Sequence, residues 1–514
     1  MAPDLPSPAR RLDATVWGIA ALTLLLHLGT ARGYGYFRDE LYYLANGEHL
    51  GWGYVEHPPL IGLIAWLVRA TLGTSLAAIR LLPALAGAAT VWLAGAMARE
   101  LGGRRFGQAL AAATVALTPV YLSVFSILSM NAFDVLCWSL GWWLLIRILH
   151  GAQPRAWLLL GAVMGIGLEN KISLLLLGAG VLMGLLLARR WNVLRSRWPW
   201  FGGALAMLLL VPYLAWQQST GWPLLEFMDH ARRLKNAPMS PLGFVREQMV
   251  LANVLALPVW VAGLGFLLRA RETRAVRPLG WAYLGMLAML LVAGHAKPYY
   301  LAPAYTVLLA AGAVAIERWT DRRRGGAALR ALVAGLAVAG GVLFAPLAKP
   351  LLPEGTFVRY AAALHLQPGS EERQQLGRLP QFFADMHGWP ELAAEVGRVY
   401  AALPGTDRTA ACIFGQNYGQ AGAIDLFGPP LGLPKAISGH NSYFLWGPRN
   451  CTGEVMIIIG GDPDELRQQF ASVALAATDR CPDCMPYEST RRIWVARGPR
   501  TPLSALWPRV KNYI

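Results

Sequence analysis

The reading of the fold turns on Ala14-Thr15-Val16-Trp17-Gly18-Ile19-Ala20-Ala21-Leu22-Thr23-Leu24-Leu25-Leu26-His27-Leu28, followed by Phe37-Arg38-Asp39-Glu40-Leu41-Tyr42-Tyr43 and Glu56-His57-Pro58-Pro59-Leu60. An uninterrupted apolar run is succeeded at once by two adjacent carboxylates. If the run crosses a bilayer, the acidic pair lies at a membrane edge, where charge is costly and is retained for use. The alternative is a solvated loop between two helices. The rest of the chain decides between them.

Composition favours the membrane. Of 514 residues, 55% are hydrophobic and only 15% are charged, with 20 Trp and a mean hydropathy of +0.39. That is too apolar for soluble domains of this length. The net charge of +16 raises the question of nucleic acid. Its distribution answers it. Basic residues fall in short loops at 10–11, 99–105, 147–155, 189–197, 269–277 and 318–330, so that every second loop is basic. This is the positive-inside pattern. A nucleic-acid surface would gather the charge on one face instead, and no nucleic-acid partner is expected. Residues 10–31 imitate a signal peptide, but further spans follow, and an uncleaved first span is the better reading.

Eleven spans are expected, near 15–33, 77–98, 106–122, 131–149, 156–172, 173–188, 200–216, 246–268, 279–294, 301–317 and 327–345. Residues 58–72 are apolar but lead to no basic loop, and read as a helix in the outer interface. The fold class is therefore a polytopic α-helical membrane protein. A transmembrane domain is expected over 1–346, with a first external loop at 34–76. After Pro346, Pro350 and Pro353 the chain becomes polar, and 347–514 reads as an external, periplasmic α/β domain. Within it, 391–402 is helical, and 411–414, 455–459 and 493–496 are short buried strands. Residues 415–422 read as a turn-rich, small-residue loop whose amides are available to a ligand or dock on the membrane part.

Cys137 falls in a span and reads as packing. Cys412, Cys451, Cys481 and Cys484 fall in the external part, where thiols oxidise. Cys481-Pro482-Asp483-Cys484 lacks the second pair that a zinc site needs. A disulfide is the better reading, with the pairing undetermined.

Helical spacing puts Asp39, Tyr43 and Asn46 on one face, with Leu41, Leu44 and Ala45 on the other, against lipid. Glu48 on that second side departs from the pattern. Pro58-Pro59 suits the first turn of a helix, whose free amides would attract an anion beside His57. Lys171 and Lys297 stand at external span ends, where lysines commonly snorkel to headgroups. With Arg232, Arg233 and Lys235 they place positive charge on the face that the loop bias leaves poor in it. An anionic, lipid-linked substrate accounts for that charge. A carboxylate able to take a proton and cations able to hold a departing phosphate are sufficient for group transfer.

Asp39-Glu40, His57-Pro58-Pro59, Ser129-Met130-Asn131-Ala132-Phe133-Asp134, Asn170-Lys171 and Lys297-Pro298-Tyr299-Tyr300-Leu301 resemble motifs of bacterial membrane glycosyltransferases of the GT-C superfold. The branch is the one related to protein O-mannosyltransferases and the lipid A aminoarabinose transferase. Phe383-Ala384-Asp385-Met386-His387-Gly388-Trp389, Asn417-Tyr418-Gly419 and Ser438-Gly439-His440-Asn441-Ser442-Tyr443 resemble its C-terminal domain. The resemblance runs nearly end to end. It implies a sugar donor on polyprenyl phosphate, inverting transfer to an acceptor (lipid, glycan or protein) on the periplasmic side of the bacterial inner membrane, and no nucleotide-sugar site. It implies Asp39 as the catalytic carboxylate with Glu40 beside it. His57, Lys171 and Lys297 would line the donor phosphate, and Tyr299 and Tyr300 the cavity; Tyr43, Asn131, Asp134 and Arg232 are read as further substrate-binding residues. Relatives often carry Asp where this chain has Asn131, with Asp134 one turn later. No cofactor is expected. Metal dependence varies across the superfold, and no ligand cluster marks a metal here. A lipid-linked-substrate transporter would place charge near mid-membrane. A glycan polymerase or ligase with a polyprenyl-linked donor would use similar external cations.

Overall fold

The computed structural model describes residues 11–366 and 372–514. Arg10, counted above among the basic loops, lies outside them. The chain divides into two compact units, one of Met1–Gly33, Ile79–Leu214 and Pro238–Leu351, the other of Tyr34–Ala78, Ala215–Ala237 and Leu352–Ile514. Residues 34–78 and 215–237 therefore group with the C-terminal region, which begins at 352 where the sequence suggested 347.

The described residues of the first unit form helices joined by turns, and each of the eleven apolar segments contains a helix. Among the described residues, five helices are long and apolar enough to cross a membrane alone: Leu76–Glu100, Met130–Leu149, Arg197–Ser219, Pro298–Asp321 and Gly326–Ala348. The third segment is interrupted. Arg105–Ala116 stops, and Pro119–Val124 restarts with Pro119 in the first turn, where its missing N–H costs nothing. The eighth is bent by 89° between Pro241–Leu251 and Val254–Arg269. The bend has a local cause. Asn253 adopts φ 75°, its side chain accepts from Leu255 N–H at 3.1 Å, and it donates to Ala337 O at 3.1 Å. The side chain thus takes over backbone groups that the helix gives up.

Small residues set the closest helix contacts, as expected where lipid supplies no hydrophobic drive. Leu257–Arg269 and Tyr305–Asp321 touch at Gly263 and Gly312. A Cβ on Gly312 would lie 1.8 Å from Val259 O, and one on Gly263 1.9 Å from Leu308 O. Backbone cannot yield as a side chain can. Gly312→Ala is expected to lower the detergent melting temperature, with a loss of about 1–3 kcal/mol. Gly335→Ala, whose Cβ meets nothing within 4 Å, should be neutral or stabilising. Differential scanning fluorimetry of the pair checks this, and equal shifts would contradict the helix contact.

In the second unit, Arg38–Glu48 is a helix because Glu40 turns back to accept from Phe37 N–H at 2.8 Å. Its apolar side does not face lipid as expected. Leu41, Leu44 and Ala45 are buried. A Cβ on Gly47 would meet Trp66 N at 2.7 Å, and one on Gly422 would meet Leu41 Cβ at 2.9 Å. The helix is thus held between Leu60–Thr71 and Tyr418–Phe427, and protein replaces the bilayer as its apolar partner. Leu60–Thr71 has 12 residues, too few to span. It leaves Leu63, Trp66 and Leu67 about half exposed on one face, as an interfacial helix would.

The remainder of this unit carries a four-stranded sheet, β1 (Ala411–Gly415), β2 (Val455–Ile459), β3 (Phe470–Arg480) and β4 (Thr490–Pro499), ordered β1-β2-β4-β3. β1 runs parallel to β2, and β4 is antiparallel to β2 and β3, pairing Ile457 with Val495 and Leu475 with Trp494. Met456, Ile458, Phe470, Trp494, Ala496 and Trp507 form a core on it. Three strands fall where expected; β3 is additional. The helix expected at 391–402 spans Trp389–Ala401. Residues 415–422 are not all loop. From Tyr418 they are helical, because Asn417 accepts from Gln420 N–H at 3.0 Å and caps the start. The disulfides are Cys412–Cys451 and Cys481–Cys484, and Cys137 is free.

Candidate functional site

The predicted site residues fall into two clusters, one in each unit. In the second unit, burial is nearly complete along Arg38–Glu48 except at its start. Asp39 keeps 32% of its side chain exposed. Its Oδ1 accepts from the Tyr418 hydroxyl at 2.8 Å, and Arg38 Nε lies 3.8 Å away. Arg38 is held in turn by Tyr487, to whose hydroxyl it donates at 2.6 Å, and by Asp385 at 3.6 Å. Glu40, expected beside Asp39 in the chemistry, is fully buried and committed to capping its own helix.

Tyr43 is buried beside His57, their rings 5.3 Å apart. His57 needs correction as a phosphate ligand. Its Nε2 accepts from Asn46 Nδ2 at 3.0 Å and its Nδ1–H donates to Pro58 O at 2.8 Å. Both nitrogens are spent on protein partners. Burial also pushes its pKa down to about 4, so the ring is neutral and offers a phosphate neither charge nor proton. Arg232 is exposed on the turn Ala231–Lys235.

Two further acids in this unit bear on pH. Burial pushes Glu56 up to about 7, with the Asp39 charge adding to it and the Tyr42 hydroxyl, 3.1 Å from Oε2, and Lys235 opposing. Burial pushes Asp385 up to about 6 against the pull of Arg38. A carboxyl whose folded pKa exceeds its unfolded value binds its proton more readily when folded. Its stabilising share is full below the unfolded pKa and is lost as pH rises through the folded one. Melting temperature should therefore fall between about pH 5 and pH 8. Glu56→Gln should reduce that fall, as thermal scans at the two pH values would show; an unchanged slope would exclude Glu56 as a cause.

In the first unit, Met130–Leu149 begins at the expected motif and brings Asn131 and Asp134 to Lys171, in the turn before Leu174–Leu187. Lys171 Nζ donates to Asn131 Oδ1 at 2.7 Å and lies 3.7 Å from the buried Asp134. Ser173 donates to Asp134 at 2.6 Å. Tyr299 and Tyr300 present their rings to the same ammonium at 5.3 and 5.2 Å. The Lys297 charge also acts on it. Asn131, Asp134, Lys171, Tyr299 and Tyr300 therefore lie together. Beside them, Ser129 Oγ and Asn170 Oδ1 are buried and have no hydrogen-bond partner among the described residues. Among the described residues no group of three or more His, Cys, Asp or Glu is placed to hold a metal ion.

Sequence reasoning assigned no role to Tyr418, Arg38 or Asp385. A signal existed, since Tyr418 and Asp385 both lie inside motifs quoted above from the C-terminal region.

Residues 56–216 match the family model described as dolichyl-phosphate-mannose-protein mannosyltransferase. No curated protein matches the chain. Among solved structures, ArnT from Cupriavidus metallidurans bound to undecaprenyl phosphate is 14% identical over 94% of this chain and 98% of that one, with a TM-score of 0.60. Its apo state is 15% identical over the same shares, with a TM-score of 0.60. A variant of the arabinofuranosyltransferase AftD from Mycobacteria is 16% identical over 96% of this chain but 42% of that one, with a TM-score of 0.53. At such identities the likeness is one of fold. The fold expected from the motifs, that of the GT-C membrane glycosyltransferases, is the fold of this chain, and the chain is a multi-pass membrane protein.

Proposed function

We propose that the protein is an inverting glycosyltransferase that moves a sugar from a polyprenyl-phosphate donor to an acceptor hydroxyl on the periplasmic face of the bacterial inner membrane. The observation that carries this reading is Asp39, a carboxylate kept accessible and held by a donor while its neighbour Glu40 is buried as a cap. The family match over 56–216 and the undecaprenyl phosphate bound by ArnT support the donor class.

The chemistry balances without a cofactor. The acceptor oxygen attacks the anomeric carbon as its proton passes to Asp39. The bond from that carbon to the phosphate oxygen breaks with its electron pair, and polyprenyl phosphate leaves. Phosphate is a good leaving group, so positioning, base assistance and charge stabilisation suffice. Lys171 and Lys297 are the cations assigned to the phosphate, with Tyr299 and Tyr300 beside them. Arg232 is assigned a lesser, salt-sensitive part in headgroup attraction, because exposed charge is screened. His57 is reassigned from the phosphate to the support of Asn46.

The test is incubation of the purified protein with polyprenyl-phosphate sugars and envelope extract, with released polyprenyl phosphate followed by mass spectrometry. Release that depends on Asp39 is expected. Movement of intact donor across proteoliposomes with no bond cleaved would replace the enzyme with a transporter.

Topology is open to a separate measurement. In a Cys137→Ser background, whose remaining cysteines are paired, a cysteine at Asp464 should react with an impermeant maleimide in intact spheroplasts, and one at Arg195 should not. Both positions are exposed, and the reverse pattern would invert the orientation.

A further inference from the structure

Asp39 is near the start of its helix, where a side chain has few neighbours to hold it. Its hydrogen-bond partner comes from about 380 residues further along the chain, and the second unit is built to deliver it. Tyr418 opens the helix Tyr418–Phe427. Its phenol donates to Asp39 Oδ1 at 2.8 Å, the only hydrogen bond to that carboxylate among the described residues. The position of the phenol is set from several sides. Asn417, the cap of the helix, donates to Glu488 at 2.6 Å, and Gln420 reaches the same carboxylate at 3.0 Å. Tyr418 N–H is directed at His440 Nδ1, 3.3 Å away. The phenol ring stacks on Tyr42 with centroids 4.6 Å apart and packs on His440 at 4.6 Å. Arg38 lies over it at 5.3 Å.

Two glycines permit this approach. A Cβ on Gly419 would meet Arg38 Cγ at 2.6 Å, and one on Gly422 would meet Leu41 Cβ at 2.9 Å. Burial holds the Tyr418 hydroxyl well above its ordinary pKa, with Arg38 opposing and Asp39 reinforcing the shift. It therefore remains a proton donor to the carboxylate and does not compete with it as a base.

We propose that Tyr418 is the positioning residue of the catalytic base: its phenol pins Oδ1 of Asp39, leaving Oδ2 to face the acceptor hydroxyl and take its proton. The C-terminal region then supplies the group that orients the base, within the unit that carries Asp39. The inference rests on Asp39 being the base, and its test is arranged so that the two ideas fail differently.

Tyr418→Phe keeps the ring, its stacking and the Arg38 contact, and removes only the hydroxyl. Loss of alignment at a reacting atom commonly lowers turnover by up to about a hundredfold. We expect kcat to fall by about ten- to a hundredfold, donor KM to change by less than about threefold, and the melting temperature to stay within a few degrees. A double-mutant cycle supplies the readout that a structural role would not move. In an Asp39→Asn background, measured over hours with radiolabelled donor, Tyr418→Phe should cost less than about twofold, since the base on which it acts is gone. An equal loss in both backgrounds, a rise confined to KM, or full activity of Tyr418→Phe would overturn the proposal. Near-normal turnover by Asp39→Asn alone would instead overturn the base assignment, whatever Tyr418 does.

Discussion

Asp39→Asn should abolish most transfer, by about two to four orders of magnitude, the range usual for a positioned acid or base. Expression and detergent stability should stay near normal. The expectation of a normal fold comes from the geometry. The side chain is 32% exposed and makes one hydrogen bond among the described residues, from Tyr418, whose hydroxyl can donate equally to an amide oxygen. Arg38 loses one nearby charge but keeps Tyr487 and Asp385, so no large stability loss follows. The expectation of lost activity comes from the chemistry, because an amide has the shape of the carboxylate but cannot take the acceptor proton. Glu40→Gln provides the contrast. That side chain is fully buried and caps its helix through Phe37 N–H, and the amide oxygen of glutamine can make the same bond. Its effect should appear mainly as a lowered melting temperature. Steady-state transfer assays and thermal scans on both variants check the pair. If Glu40→Gln were inactive and Asp39→Asn active, the base would be the neighbour. If both were active, group transfer by this loop would be wrong.

Much of this was legible in the chain because membrane constraints are strong. Long apolar runs and alternating basic loops locate helices with little dependence on detail. Detail failed where a single polar side chain redirected the backbone. The 89° bend at Asn253 and the break before Pro119 divide segments that hydropathy alone reads as continuous. β3 escaped because Ala471 to Ala477 are mostly small and exposed, so the edge strand lacks the alternation that marks a half-buried one. Leu41, Leu44 and Ala45 were assigned to lipid because periodicity reports an apolar face without saying what covers it; Gly47 and Gly422 show that protein does. The same limit hid Tyr418. Local spacing found Asp39, Tyr43 and Asn46, but a partner 379 positions away in sequence has no local signature.

The second large effect concerns Lys171, where a binding role and a structural role must be separated. Its side chain is 13% exposed, and its ammonium lies 3.7 Å from Asp134, whose side chain is 3% exposed. Removing one member of a buried pair leaves the other charge uncompensated, which commonly costs about 3–5 kcal/mol. Lys171→Met should therefore be poorly folded, and its inactivity alone would say nothing about the donor. Lys171→Met with Asp134→Asn removes both charges. Ser173, which donates to Asp134 at 2.6 Å, can donate to the amide oxygen of Asn instead, so stability should largely return. Donor use should not return. A hydrogen bond from an ammonium to phosphate contributes about 1.5–3 kcal/mol, equivalent to about a ten- to hundredfold rise in donor KM at about 1.4 kcal/mol per tenfold. Melting curves and donor titrations on the single and double variants separate the outcomes. A double variant with normal donor KM would make Lys171 a structural counter-ion to Asp134, and the phosphate role would pass to Lys297. A stable double variant with raised donor KM places Lys171 at the phosphate, since no other property of the residue survives in the comparison.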